Sequence, residues 1–236
     1  MIYEFDSRIR YSEVNKEGEL SLGGLINYFQ DCSLFQSEHL GLGVAHLKEK
    51  HRAWLLSSWQ VEICKKPMFG EKVTIQTWSY GFKGFYGYRN FCMKGENGEI
   101  LASAGTIWVY VDTESGHPSR IDEEELSGYG VSEKLSMKYA DRKIPFPEGA
   151  VQGEAFTVRR HQLDTNGHVN NGQYVQLAQD YLPDEFAADR IRAEYKRQAR
   201  LGDTMIPWIA KEEGRYTIAL CDEDKKPYAL VVFEEK

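Results

Sequence analysis

The chain repeats itself, and this internal duplication limits the folds open to it more than any other feature. Residues 11–31 align with residues 160–180 at an offset of 149, and the two segments share glycines and a Gln-Asp pair. Residues 61–71 align with residues 193–203 at an offset of 132, and both segments end in glycine and an acid. The change of offset indicates a longer connection in the first half. A duplicated sequence predicts two structural units of one design.

Each half has the pattern of a helix followed by antiparallel strands. Apolar side chains recur at helical spacing within residues 22–33 and again within residues 175–182, where Pro183 is expected to end the helix. The dipeptide Asn97-Gly98 is typical of a hairpin turn, and residues 222–224 indicate another turn. The predicted strands are 58–63, 72–78, 85–93 and 100–111 in the first half, and 191–200, 204–210, 215–220 and 228–233 in the second.

A segment rich in glycine, proline and charged residues separates the halves. We therefore predict an α+β chain with an N-terminal domain at 1–112, a linker with a short helix near 121–126 at 113–150, and a C-terminal domain at 151–236. In each domain an antiparallel sheet would wrap around one long helix. The 11 Phe, 14 Tyr and 5 Trp supply the bulk that two such cores need.

Composition narrows the functions open to the chain. Its 236 residues carry a net charge of −7, which argues against a general surface for nucleic acid or for an anionic membrane. No apolar run is long enough to span a bilayer, and the first residues resemble neither a signal peptide nor a transit peptide, so we expect a cytoplasmic protein. The four cysteines form no CxxC pair and are expected to be small buried residues. No metal and no cofactor is predicted.

The segment 163–171 holds the residues with the clearest chemistry. Asp164, Asn166 and His168 stand at every second position, so an extended backbone would aim all three side chains to one side. If the segment is instead a turn into the second helix, its asparagines and glycine suit a tight backbone, and Asn170 or Asn171 would cap that helix. In both cases three polar groups converge beside a helix N-terminus, where negative charge is stabilised.

These residue types suit the hydrolysis of a thioester. The carboxylate of Asp164 can direct a water molecule or attack the carbonyl carbon itself, and the imidazole of His168 can transfer a proton near neutral pH. Asn166 can hold the water, orient a partner or bind the carbonyl oxygen, and the helix N-terminus would stabilise the oxyanion. Each residue alone is more often a turn former or a cap.

The first half serves as an internal control for this segment. Its equivalent positions carry Asn15, Glu17 and Glu19, so the polar character is kept but the Asp/Asn/His combination is not. The comparison predicts that the second half is active and that the first half has another task, such as lining an acyl pocket.

The chain resembles the acyl-acyl carrier protein (acyl-ACP) thioesterases, which have two hotdog domains in one chain. The resemblance covers nearly the full length, and its specific part is Leu163-Asp-Thr-Asn-Gly-His-Val-Asn-Asn171 followed by residues 194–203. It implies tandem hotdog domains and hydrolysis of fatty acyl-ACP to free fatty acid and holo-ACP. It also implies that Asp164, Asn166 and His168 form the core of the catalytic site.

One position departs from the family pattern. Many members carry Glu-Cys after the second helix, whereas this chain carries Gln198-Ala199 and lacks a cysteine nucleophile there. We therefore expect either water directed by Asp164 and His168 or a covalent attack by Asp164. Gln198 is either a hydrogen-bonding member of the site or an exposed polar residue of the strand.

The stretch after the second helix is rich in arginine and lysine, and acyl carrier protein is strongly acidic. The resemblance therefore implies that this stretch binds the carrier and its phosphopantetheine arm. Alternation along a strand would put Arg192, Lys196 and Arg200 on one face and Arg197 on the other, with residues 159–160 assisting. The sequence also leaves a homodimer open.

Two other functions remain open. An acyl-CoA thioesterase would use the same site on a different carrier. A non-catalytic hotdog protein that binds acyl chains would explain Gln198-Ala199, although Asp164, Asn166 and His168 favour an enzyme. A hotdog dehydratase is disfavoured, because the chain has no His-x-x-x-Gly-x-x-Pro pattern.

Overall fold

The computed structural model describes residues 1–235 and contains two compact units. The first unit consists of Met1–Ser57 and Ile63–Tyr139. The second consists of Ser58–Glu62 together with the chain from Ala140 onward. No described helix is long and apolar enough to cross a membrane.

A long helix and an antiparallel sheet form the first unit. Its elements are β1 (Tyr3–Arg8), α1 (Leu22–His39), α2 (Val44–Glu49), β2 (Arg52–Ile63), β3 (Lys72–Lys83), β4 (Tyr86–Gly95), β5 (Ile100–Asp112) and α3 (Glu123–Tyr129). The strand order is β1-β3-β4-β5-β2. Each strand predicted for this half is present, and β3 runs five residues further than predicted because its end pairs with the start of β4.

Helix α1 forms where the apolar spacing predicted it. The side chain of Ser21 caps its start, since the hydroxyl oxygen accepts the Gly24 N–H at 3.0 Å. The helix packs against β1 and β3 and buries Ile26 and Phe29 completely. The Phe29 ring lies 5.3 Å from the ring of Phe91 on β4. Full burial of each such side chain contributes about 1.5–3 kcal/mol, so this face holds the helix to the sheet.

The second unit repeats this design with a shorter helix. Its elements are β6 (Val151–Gln152), β7 (Phe156–Thr157), α4 (Asn171–Gln179), β8 (Arg190–Tyr195), β9 (Thr204–Glu212), β10 (Arg215–Cys221) and β11 (Pro227–Glu234). The strand order is β8-β11-β10-β9-β6, with β7 also on β9 and with Ser58–Glu62 of β2 paired to β8. Helix α4 packs against β10 and β11.

Helix α4 ends earlier than the sequence predicted. Pro183 was expected to end it, but the last helical residue is Gln179. The next N–H groups, those of Tyr181 and Leu182, donate to carbonyls three residues back at 3.3 and 3.0 Å. This tighter turn ends the α-helix before the proline is reached.

Strand β8 is also shorter than predicted, because the chain leaves the ladder after Tyr195. The N–H groups of Lys196 and Arg197 both donate to the Tyr228 carbonyl, at 2.8 and 3.2 Å. The alternation that was expected to place residues 196–200 on strand faces therefore does not apply to them. The first unit has the same irregularity, since two consecutive N–H groups after β2 share the Leu101 carbonyl.

The segment predicted as a linker packs on both units. Its first part, up to Tyr139, belongs to the first unit and contains α3, close to the short helix expected near 121–126. The part after Ala140 lies on the sheet of the second unit. There Ile144 packs with Leu230 and Val232 in a buried apolar cluster.

The four cysteine thiols are free. Cys32, Cys92 and Cys221 are buried, as the sequence predicted. Cys64 is exposed, so the prediction was wrong for this residue, which lies just beyond the end of β2.

Candidate active site

The segment that carries the predicted chemistry forms a short loop closed like a hairpin. Leu163 and Val169 are bridged, and the Asp164 N–H donates to the His168 carbonyl at 2.7 Å. Gly167 turns the chain at a φ of 76°, a conformation that favours glycine. The loop thus combines the two expected forms, since its ends are paired and its centre is a tight turn.

The side chain of Asp164 holds this turn together. Its Oδ1 accepts the N–H groups of Asn166 at 2.8 Å and of His168 at 3.1 Å. Within residues 1–235, its Oδ2 makes no hydrogen bond. One carboxylate oxygen therefore fixes the loop, and the other is available to a water molecule or a substrate.

His168 and Asn166 share this loop with Asp164 but make no side-chain hydrogen bond to it. The imidazole of His168 is half-buried, and its Nδ1 is a buried atom without a hydrogen-bond partner among the described residues. Asn166 is exposed. The structure thus brings the three predicted residues into one loop and leaves their functional atoms unengaged, apart from Asp164 Oδ1.

The loop leads directly into helix α4. Asn170 caps the helix, as one of the two predicted candidates, because its Oδ1 accepts the Gly172 N–H at 2.8 Å. The backbone of Asn170 is held in turn by the Gln162 carbonyl at 2.9 Å. The positive end of the helix dipole therefore lies next to the loop.

The fourth predicted site residue, Gln198, stands on the segment beside the loop. Its side chain is exposed and makes no hydrogen bond within the part of the chain that the structure describes. The next residue, Ala199, is fully buried, and its carbonyl accepts the Val169 N–H at 2.9 Å. The backbone of Arg200 then pairs with that of His168 in an isolated antiparallel β-bridge. The segment 198–200 thus forms the second wall of the candidate site.

Three of the four predicted carrier-binding residues have partners within the second unit. Arg192 donates to the Asp141 carbonyl at 2.6 Å, and the Lys196 ammonium lies 2.7 Å from Glu194. Arg192 therefore holds residues 140–146 directly, and Lys196 pairs with Glu194, which accepts the Ile144 N–H of that segment. Arg197 donates to Asp222 at 2.7 Å, and the central carbon of its guanidinium lies 4.7 Å from the centre of the Tyr228 ring. Three of the four cations are thus occupied within the second unit.

Arg200 is different, because it is exposed and has no ion pair among the described residues. The same holds for Arg159 and Arg160, which lie at the 3-10 turn just before the loop. The free positive charge of this region is therefore beside Asp164 and His168 rather than along β8.

The first unit contains the same loop with other side chains. Asn15 Oδ1 accepts the N–H groups of Glu17 at 3.1 Å and Glu19 at 2.9 Å, as Asp164 does in the second unit. The Leu20 N–H donates to the Pro67 carbonyl at 2.8 Å, as that of Val169 does to Ala199. Matching hydrogen bonds at both offsets confirm the predicted duplication.

Sequence reasoning missed two residues of the site. Tyr174 on α4 accepts the Ala199 N–H at its hydroxyl oxygen, and Tyr195 at the end of β8 donates to the Asn171 carbonyl, both at 2.9 Å. The alignment of the two halves held a signal for them, because Leu25 and Ile63 stand at their positions in the first half.

Comparison with known families assigns both halves. Residues 2–129 match the model of the acyl-ACP thioesterase N-terminal domain, and residues 147–225 match that of the acyl-ACP thioesterase C-terminal domain. Among curated proteins, a chloroplastic acyl-(acyl-carrier-protein) hydrolase of Cuphea viscosissima is 25% identical over 216 residues. That match covers 84% of this chain and 52% of the relative, so the chain spans about half the length of the curated relatives it matches.

Solved structures show the same fold at low identity. An acyl-ACP thioesterase from Bacteroides thetaiotaomicron is 21% identical with a TM-score of 0.91, covering 99% of this chain and 97% of that one. A 12:0-ACP thioesterase from Umbellularia californica is 20% identical with a TM-score of 0.87, covering 99% and 96%. The predicted fold class, α+β with hotdog domains, is confirmed.

Proposed function

This chain belongs to the acyl-ACP thioesterase family, and on that premise we propose that it hydrolyses fatty acyl-ACP thioesters to free fatty acid and holo-ACP. Family membership favours acyl-ACP over acyl-CoA as the substrate. The second unit carries the reaction in this proposal, and the first contributes to the acyl pocket.

One observation supports this proposal above the others. The loop of the first unit is held by the neutral amide of Asn15, so the fold of the loop does not need a charge. The second unit nevertheless has the carboxylate of Asp164 at this position, with Oδ2 free. Because the fold of the loop does not need this negative charge, we attribute it to a role of Asp164 in the reaction.

In the proposed mechanism, Oδ2 of Asp164 accepts a proton from a water molecule that attacks the thioester carbonyl. The N-terminal end of α4 stabilises the oxyanion, and His168 delivers a proton to the departing thiolate of the phosphopantetheine arm. Asn166, exposed beside them, orients the water or the carbonyl. Ala199 excludes a cysteine nucleophile at the family position, and Gln198 offers at most a hydrogen bond.

The test compares wild-type protein with Asp164→Asn on a panel of acyl-ACPs and the matching acyl-CoAs. The asparagine keeps the turn, as Asn15 does, and removes the charge, so we expect kcat on acyl-ACP to fall at least about 100-fold. The matched control is Asn15→Asp, which should leave turnover within about twofold. Full hydrolysis by Asp164→Asn would refute the assignment.

The remaining outcomes of the panel identify the alternatives. Turnover of acyl-CoA but not of acyl-ACP would make the chain an acyl-CoA thioesterase. Binding of acyl chains without turnover would make it the non-catalytic protein that Gln198-Ala199 suggests. A single turnover in ¹⁸O-labelled water tests for the covalent mechanism. Direct attack of water always labels the fatty acid. An unlabelled fatty acid with the label in Asp164 requires an acyl-Asp164 anhydride that water opens at the Asp164 carboxyl carbon.

We further propose that the carrier docks on Arg160 and Arg200, with Arg159 beside them. These side chains are exposed, unpaired among the described residues, and adjacent to the loop of Asp164. The double substitution Arg160→Glu and Arg200→Glu should raise KM for acyl-ACP about tenfold, and added salt should mimic it in wild type. Arg120→Glu, at an exposed site of the first unit, is the control and should leave KM unchanged.

A further inference from the structure

We propose that Tyr174 is a positioning residue of the candidate active site and that Tyr195 supports it. The inference rests on the proposed function, because it assigns these tyrosines a part in placing the groups that act on the thioester.

Tyr174 connects helix α4 to the segment 198–200, which forms the second wall of the site. Its side chain is only 2% exposed, and its hydroxyl oxygen accepts the Ala199 N–H at 2.9 Å. The carbonyl of Ala199 accepts the Val169 N–H at the same distance. Next to these contacts, the backbones of Arg200 and His168 form an isolated antiparallel β-bridge. A single hydroxyl therefore anchors the backbone that faces His168.

Tyr195 holds the start of the same helix. Its hydroxyl donates to the Asn171 carbonyl at 2.9 Å, and its ring lies 5.7 Å from that of Tyr174 at an interplanar angle of 62°. Burial raises the pKa of Tyr174 to about 12 and also raises that of Tyr195. Both hydroxyls stay protonated at neutral pH, so they act as fixed hydrogen-bonding groups and not as acids or bases.

The first unit demonstrates that the loop folds without these tyrosines. Leu25 and Ile63 stand at their positions, and Pro67, which has no N–H to donate, stands at the position of Ala199. The hydrogen bonds of the Asn15 loop are nevertheless the same as those of the second-unit loop.

A small pocket in the first unit lies among the counterparts of the two tyrosines. Its lining is mainly apolar and comprises Leu20, Leu22, Leu25, Ile63, Pro67 and Ala102, together with two lysines. In the second unit, the aromatic pair and its two hydrogen bonds occupy the corresponding positions. The pair is thus a feature of the unit with Asp164 and His168, and it is dispensable for the fold of the loop.

Such an anchor matters for the rate more than for substrate binding. A displacement of about 1 Å between reacting groups can cost about 100-fold in rate. Loss of the Tyr174 hydroxyl frees the Ala199 N–H and loosens the segment next to His168, while the charges proposed to bind the carrier, those of Arg159, Arg160 and Arg200, are all retained. The expected effect is therefore on kcat rather than on KM.

The experiment uses Tyr174→Phe in the full chain, with steady-state kinetics on acyl-ACP and amide hydrogen exchange. We expect kcat to fall about tenfold to 100-fold with KM within twofold, and the amides of Ala199 and Val169 to exchange at least tenfold faster. Tyr28→Phe is the matched control. It removes a buried helical hydroxyl of the first unit, which donates to Glu13 at 2.7 Å, and should leave kcat unchanged.

A second variant tests the same hydrogen bond from its other side. Ala199→Pro copies the residue of the first unit and removes the donor, so it should lower kcat to a similar extent. Tyr174→Phe added to Ala199→Pro should then lower kcat by no more than about twofold further. Independent, multiplying effects would overturn the inference.

The two proposals fail in different ways. If the wild-type protein hydrolyses no acyl thioester, the proposed function fails, and hydrogen exchange alone then decides the role of Tyr174. If wild type is active and Tyr174→Phe keeps its kcat and the protection of the Ala199 amide, the positioning role is refuted and the proposed function stands.

Discussion

Asp164 and Asn15 occupy the same position in two copies of one loop, and each side chain accepts the N–H groups two and four residues ahead. Because the geometry is shared, the structural role of Asp164 in the turn can be distinguished from its proposed role in the reaction. An oxygen atom at this position builds the turn in both units. Only the second unit adds a negative charge to that oxygen, and the difference between the two residues can be measured.

Alanine should therefore destabilise both loops to a similar degree. Asp164→Ala and Asn15→Ala each remove an acceptor for two backbone N–H groups that water can partly replace, so each should cost about 1 kcal/mol in the free energy of unfolding. Asp164→Asn keeps the acceptor and should cost less than about 0.5 kcal/mol. Urea unfolding of the three variants measures these differences.

Turnover should not follow stability among these variants. Asp164→Ala and Asp164→Asn should both lose turnover, whereas Asn15→Ala should keep it despite its lower stability. An Asp164→Asn protein as unstable as Asp164→Ala would contradict the shared role of the two residues.

The loop and the duplication were predictable because they depend on local order along the chain. Gly18 and Gly167 both take a positive φ, and the polar residue three positions before each of them closes its turn. The strand pattern was predictable for the same reason. A repeated sequence with repeated glycines folds into a repeated backbone.

The partners of the charged residues were not predictable from spacing. Arg192 and Lys196 were expected to bind a carrier, but they contact Asp141 and Glu194 within the second unit. The contact of Arg192 depends on how residues 140–146 cross the sheet, a long-range feature with no periodic signal, whereas Lys196 pairs with a residue only two positions away. The role of Tyr174 was hidden in the same way, since its hydroxyl contacts a residue 25 positions away.

Gln198→Glu should raise turnover. The side chain is exposed beside the loop of Asp164, and a carboxylate there can accept a proton from water, which an amide cannot do. We expect kcat on acyl-ACP to increase about threefold to tenfold. This is less than the full effect of a general base, because Asp164 already acts as the base in the proposed mechanism. Gln198→Ala is the control and should change kcat by less than about threefold. Equal rates for all three proteins would assign Gln198 to the surface alone.

Stability should depend on pH through Glu125, a fully buried carboxyl in the first unit. Burial raises its pKa, while Trp54 donates to its Oε2 at 2.8 Å and His46 lies 3.5 Å from its Oε1. Between the ordinary and the raised pKa, the folded protein holds a proton that the unfolded chain has released. The stabilisation is therefore complete below the ordinary pKa and is lost as the pH rises through the raised one.

Glu125→Gln should remove this loss. The amide keeps an acceptor for Trp54 and cannot ionise, so the variant should melt about 2–4 °C above wild type at pH 8, with the difference shrinking towards pH 4. Thermal melts across this range provide the measurement. Glu124→Gln, on the same helix but more than half exposed, is the control and should show no gain at pH 8. A constant difference at every pH would exclude titration of Glu125 as the cause.

Glu194 should be the carboxylate on which the second unit depends most. It is only 1% exposed, accepts the Ile144 N–H at 2.8 Å, and lies 2.7 Å from the Lys196 ammonium. Glu194→Ala leaves a buried N–H and a nearby cation without their acceptor, so we expect a loss of about 3 kcal/mol in the free energy of unfolding. Glu194→Gln keeps an acceptor and should lose about half as much.

The duplication supplies the control for this prediction. Glu62 stands at the position of Glu194 in the first repeat, is partly exposed, and pairs with Arg190 at 3.3 Å. Glu62→Ala should therefore cost less than about 1 kcal/mol. Urea unfolding compares the two alanine variants, and limited proteolysis within residues 140–150 reports whether the segment leaves the sheet. Equal stability of both variants, or unchanged proteolysis of Glu194→Ala, would show that burial of Glu194 does not hold this segment.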